Sequence, residues 1–190
     1  MKRRISFFPK PLKEPKQVIL QFVTHELLND ISTLCNVVGE SHDTQDGAST
    51  TTLAKDVLAG ENLDLIMRGI EKNMLEAWRL LFPYAKTPIC HCCHDDNPTE
   101  IEVFLVTLTF DYDRDETQVQ YLKTQIHEYV VKKVVFDWLV YSMVPGARVA
   151  DVQAQQRKIF EDSEQAKNNI ATALAEPLEI RSHHIRPQFF

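Results

Sequence analysis

The amino-acid sequence predicts a mainly α-helical fold, in which about four main helices pack with a small pair of β-strands and extended arms lie at both termini. Several long segments repeat apolar residues three and four positions apart, whereas only two short segments are rich in β-branched and aromatic residues. The 190 residues, 44% hydrophobic and 25% charged, have the composition of a globular chain that can bury a core.

Residues 1–16 are expected to form an extended basic arm. Three prolines fix the backbone there, and six basic side chains against one acidic side chain give the arm a net charge of +5. The whole chain has a net charge of −6, so the remainder carries −11. The arm is therefore suited to dock on an acidic neighbour, with Phe7 and Phe8 as apolar anchors, or to remain solvated.

A single helical domain is predicted over residues 17–177, and it begins with a strand over 17–23. Thr24 is a candidate N-cap for a helix over about 25–37, whose inner face would hold Leu27, Leu28, Ile31 and Leu34. Residues 41–52 are polar and predict a loop, with a short helical turn at about 53–58. The clearest helical spacing follows, from Leu63 to Leu81, and Pro83 marks its end.

The second half of the domain begins with an irregular connection over 86–99 and a strand over 100–111. This strand is apolar on both faces, which predicts burial on both sides or an oligomer contact on one of them. Pairing with segment 17–23 is expected.

Two more helices are predicted after that strand. Asp113 or Asp115 would cap the first, which runs to about residue 143 and is apolar on most sides over 130–141. Such a helix is central to a core or lies between subunits. Pro145 and Gly146 form a turn, and the last helix covers about 149–175, lined by Val152, Ile159, Phe160, Ala166, Ile170 and Leu174.

Residues 178–190 are expected to form an extended C-terminal tail that contacts another protein. Phe189 and Phe190 would be an apolar liability on a monomer, and Arg181 and Arg186 accompany them. Strand addition to a neighbour is one way for such a tail to dock.

One run of residues contains potential zinc ligands: Cys90, His91, Cys92, Cys93 and His94. Structural zinc sites normally combine two short segments, and adjacent side chains cannot all converge on one ion. A site would need further ligands from Cys35, His25, His127 or another subunit. We therefore predict no metal and no cofactor, with these five residues as the only candidates. The clustering of three of the four cysteines favours a reducing compartment.

Other functional classes have little support in the sequence. There is no G-x-S-x-G motif and no phosphate-binding glycine loop, so no catalytic residue and no enzyme activity is predicted. The net negative charge argues against general nucleic-acid binding. No stretch reaches the length of a secretory signal or a membrane span, so no membrane partner is expected.

The order of elements over residues 17–190 resembles the small head-to-tail connector proteins of tailed bacteriophages, including those of crAss-like gut phages. The resemblance is carried by the aromatic–proline segment 78–84 after the second helix, the single strong strand 103–108, the helix 126–139, the Pro-Gly turn and the Arg/Pro-containing tail.

This resemblance implies a structural virion protein, an adaptor subunit forming a homo-oligomeric ring between portal and tail. Its partners would be copies of itself, the portal and other neck or tail proteins, and DNA would pass nearby without specific binding. The protein would be assembled in the bacterial cytoplasm and reside in the virion neck. The alternatives are a tail-completion or other protein-binding module, and a metal-dependent enzyme that uses residues 90–94.

Overall fold

The computed structural model describes residues 16–40, 61–85, 90–92, 103–110, 114–141 and 149–175. In this part of the chain four helices and three strands follow one another, which confirms the mainly α-helical prediction. They are β1 (Lys16–Val23), α1 (Thr24–Glu40), α2 (Glu61–Leu81), β2 (Cys90–Cys92), β3 (Val103–Phe110), α3 (Glu116–Tyr141) and α4 (Val149–Leu174). The predicted loop over 41–52, the turn at 53–58 and the tail over 178–190 lie outside these residues, as do residues 1–15 of the arm.

The predicted strand pairing is confirmed. β1 and β3 are antiparallel, with a continuous register from Lys16 opposite Phe110 to Val23 opposite Val103. Alternate side chains point to opposite faces of a strand, and here one face is buried under the helices. The fully buried members of that inner face are Leu20, Phe22, Phe104, Val106, Leu108 and Phe110. On the other face of β3 the side chains are half-buried, so full burial on both sides, one of the two predicted possibilities, is not observed among the described residues.

The predicted irregular connection over 86–99 is wrong at Cys90–Cys92. These residues form β2, which pairs antiparallel with β3, so the sheet order is β1-β3-β2. The register sets Cys90 opposite Leu105, His91 opposite Phe104 and Cys92 opposite Val103. The physical reason is that β3 is central, and each backbone donor and acceptor on its second edge requires a partner.

Helix α3 is the centre of the fold. It packs against α1, α2, α4 and β1, so of the two predicted placements of its apolar second half, the one at the centre of the core is observed. From Leu122 to Leu139 buried side chains occur on several sides of the helix, namely Leu122, Gln125, Ile126, Tyr129, Val130, Val131, Val134, Val135, Trp138 and Leu139.

Helix α4 runs antiparallel to α3. Asn169 Nδ2 donates to Gln125 Oε1 at 2.7 Å near one end, and Gln156 Nε2 donates to the Leu139 carbonyl at 3.0 Å near the other. Ile159, Ala166, Ile170 and Leu174 are buried as predicted. Phe160 is not, because it lies at the rim of the α3–α4 contact, 41% exposed, with its ring 5.5 Å from that of Phe136.

The two predicted caps have different outcomes. Asp115 caps α3, since its Oδ1 accepts from the Gln118 backbone N–H at 2.7 Å. The predicted Thr24 cap is wrong. Thr24 is buried where β1 leads directly into α1, and its hydroxyl makes no hydrogen bond within the described residues. None of the described helices is both long and apolar enough to span a bilayer.

Candidate protein-interaction surfaces

The first candidate surface is the outer face of the sheet, opposite the helices. Its members are Gln17, Ile19, Gln21 and Val23 of β1 and Val103, Leu105, Thr107 and Thr109 of β3. The register places each member of one strand opposite a member of the other, for example Ile19 opposite Thr107 and Gln21 opposite Leu105. We call these eight residues the outer sheet face.

The outer sheet face carries no charged residue, although a quarter of the chain is charged. Ile19 is 66% exposed, and Val23, Val103 and Leu105 are half-buried. A solvated sheet face normally alternates polar side chains with the buried ones. Depletion of charge around exposed aliphatic residues is instead typical of the centre of a protein interface.

The second candidate surface is a stripe on α2 and the turn after it. Leu75, Trp78 and Phe82 follow helical spacing; Leu75 is 48% and Phe82 64% exposed. The rings of Trp78 and Phe82 meet edge to face, with centroids 5.5 Å apart. Arg68 and Arg79, both exposed, lie seven positions before Leu75 and four after it, on the same side of the helix. We call these five residues the α2 stripe.

The opposite side of α2 packs in the core, so the α2 stripe faces away from the core. Ile70, Met74, Ala77 and Leu81 are buried in the core. Polar contacts to α3 add to this anchoring: Lys72 Nζ lies 2.9 Å from Asp137 Oδ2, and the Tyr129 hydroxyl donates to Glu76 Oε2 at 3.3 Å. Because α2 is held along its length, the α2 stripe is a preorganised surface, which reduces the entropy lost on binding.

A third cluster holds the C-terminal end of α4. The buried Arg114 donates from its guanidinium to the carbonyls of Ala173 and Leu174, the latter at 2.8 Å, and lies over the Phe110 ring at 4.3 Å from its centroid. The Tyr84 hydroxyl donates to the same Leu174 carbonyl at 3.1 Å. The C-terminal end of α4 is therefore held close to Phe110, whose strand partner is Lys16.

The predicted interaction residues Phe7, Phe8, Arg181, Arg186, Phe189 and Phe190 lie outside the described residues, as do Cys93 and His94. The more distant residues considered as metal ligands are engaged elsewhere. Burial raises the pKa of the Cys35 thiol to about 12, which disfavours the thiolate that metals require. His127 Nε2 lies 2.7 Å from Asp30 Oδ2. Among the described side chains, no group of three or more Cys, His, Asp or Glu could hold a metal ion.

The α2 stripe was not predicted from the sequence as a surface. Its aromatic members fit helical spacing and read equally well as core residues. The exposed pair Leu75 and Phe82 differs from the buried residues of α2 only in angular position around the helix. Apolar residues cover so wide an arc of this helix that the sequence does not reveal the difference.

No protein-family profile, no curated protein and no solved structure matches this chain.

Proposed function

We propose that this protein is a structural subunit that assembles with copies of itself into a ring, the head-to-tail connector between portal and tail of a tailed phage. The uncharged outer sheet face is the observation that carries this proposal. A face of this kind favours contact with a partner, because in the isolated subunit it exposes Ile19 beside half-buried aliphatic side chains.

The presence of a second, chemically different surface supports a ring over a simple dimer. A twofold dimer buries the same patch on both subunits, whereas a ring joins two different patches head to tail. The outer sheet face is uncharged, and the α2 stripe is aromatic and flanked by arginines. The resemblance of the order of elements to that of neck proteins supports the assignment to a virion, with portal and tail proteins as further neighbours.

The charge of the chain supports a passive relation to DNA. The net charge is −6, so a ring of these subunits is repelled by DNA unless its basic groups are clustered. DNA would pass such a ring without specific binding, as a conduit requires.

The test is native mass spectrometry of the full chain and of Ile19→Lys. A lysine forced into an uncharged interface costs about 2 kcal/mol or more, which raises the Kd of each contact about 30-fold. We expect the wild type to form a closed oligomer and Ile19→Lys to be mainly monomeric. Val37→Lys is the matched control, since Val37 is also aliphatic and 58% exposed but lies on α1.

A wild-type chain that stays monomeric at high concentration would contradict the ring and favour a tail-completion or other binding module. A metal-loaded monomer in the same spectra would instead favour the enzyme alternative. The assignment to a virion has its own test: peptides of the chain are expected in gradient-purified tailed particles of the phage that encodes it.

A further inference from the structure

We propose that the α2 stripe of one copy packs on the outer sheet face of the next, so that a helix from a neighbour completes the uncovered side of the sheet. This inference rests on the proposed self-assembly and names its contact. Within the described residues, helices cover only the inner face of the sheet. An apolar face of a sheet is stably buried when a second layer of secondary structure packs on it.

The two surfaces match in length. Eight residues of a strand extend about 26 Å, and the 15 residues from Arg68 to Phe82 rise about 22 Å along a helix. A helix lying along the strands would therefore contact the outer sheet face over most of its length.

The two surfaces also match in chemistry. Leu75, Trp78 and Phe82 would pack on Ile19, Val23 and Leu105. The exposed arginines have donors and no acceptors, whereas the outer sheet face offers amide and hydroxyl oxygens from Gln17, Gln21, Thr107 and Thr109. The two arginines can thus donate to these oxygens in the contact, which lowers the cost of burying them.

The size of the outer sheet face shows why this contact alone does not complete the assembly. Two strands about 4.8 Å apart and 26 Å long present roughly 250 Å², whereas a stable interface buries about 800 Å² on each partner. Further area must come from other parts of the chain.

Crosslinking of mixed variants that each carry one added cysteine tests the contact; the buried Cys35 is kept in all of them. Cys90, Cys92 and Cys93 are replaced by serine in the full chain, and Ile19→Cys and Leu75→Cys are then made separately. The two proteins are mixed under assembly conditions and treated with a short bis-maleimide reagent. We expect a crosslinked dimer in the mixture and only background in either protein alone. Val37→Cys mixed with each variant is the control and should also give background.

The other outcomes are distinct. A crosslink in Ile19→Cys alone means that two sheets pack face to face, and one in Leu75→Cys alone means that two α2 helices pair; either overturns the inference. Oligomers by native mass spectrometry without any of these crosslinks would overturn the contact and leave the proposed ring intact. A monomeric parent protein would instead overturn the ring itself.

Discussion

At the scale of single residues, Arg114 has the most unusual environment. A cation that is only 7% exposed must have polar partners, and the contacts of Arg114 include the last carbonyls of α4 and the Phe110 ring. The final carbonyls of a helix have no intrahelical donor and carry partial negative charge. The guanidinium supplies donors and charge at this position, so the helix end stabilises the buried cation.

Substitution of this arginine should destabilise the domain. Arg114→Met keeps the aliphatic volume and leaves two buried carbonyls with fewer donors, so we expect a loss of about 2–3 kcal/mol in the free energy of unfolding. Arg114→Lys keeps the charge but lacks the planar fork and should lose less. Urea denaturation measures both. Arg157→Met is the control, because Arg157 is exposed and paired only at 3.5 Å with Glu161; equal losses at 114 and 157 would contradict this account.

At the scale of secondary-structure elements, the contact of α2 with α3 contains a position that can be improved. Gly69 lies inside α2, where glycine costs about 0.5–1 kcal/mol relative to alanine. A Cβ atom at this position would meet the Val134 methyl groups at 3.5 and 3.7 Å, which is ordinary van der Waals contact. The space therefore accepts one methyl group without displacing α3.

We expect Gly69→Ala to raise the free energy of unfolding by about 0.5–1 kcal/mol, and the melting temperature by a few degrees for a chain of this length. Calorimetry measures the change. Gly69→Leu is the contrasting variant and should destabilise, because the additional atoms would meet Val134. A destabilised Gly69→Ala would mean that α2 and α3 approach more closely than these distances indicate.

The elements were predictable to different degrees, for identifiable reasons. The buried faces of α1 and α2 and the central position of α3 follow from apolar spacing, and the β1–β3 pair follows from two β-branched segments. β2 was missed because Cys90–Cys92 is short and has no strand propensity of its own; the open edge of β3 determines its conformation. Phe160 was assigned to the buried side because spacing does not distinguish the centre of a helix contact from its rim. For the apolar outer side of β3, the sequence predicted either burial or an oligomer contact and did not distinguish the two.

At the scale of the whole molecule, the buried thiol of Cys35 and the buried hydroxyl of Tyr129 make the stability of the fold decrease at alkaline pH. Burial raises the pKa of Cys35 from its ordinary 9.0 to about 12. Burial, followed by the nearby carboxylate of Glu76, raises the pKa of Tyr129 from 10.0 to about 12. Both groups ionise first in the unfolded chain, so their contribution is fully present below about pH 9 and is lost as the pH rises to about 12.

We expect the free energy of unfolding to fall across this pH window by an amount on the order of several kcal/mol. Each pKa unit between the folded and the unfolded chain corresponds to about 1.4 kcal/mol. Denaturant titrations at pH 8, 10 and 11 measure the fall, with Tyr129→Phe as the matched variant. Because that variant lacks the phenol, its stability should decline less steeply above pH 10. Parallel curves for the two proteins would show that Tyr129 does not contribute.

The register of the sheet has a consequence for the timing of assembly during synthesis. Val23 and Val103 pair although they are 80 positions apart, so β1 leaves the ribosome long before its partner strand exists. Closing so long a loop is entropically unfavourable until the intervening helices have collapsed. The outer sheet face therefore forms only in the folded subunit, and no short stretch of nascent chain presents it. In the proposed ring, nascent chains would therefore not polymerise through this face, and subunits would join only after they have folded.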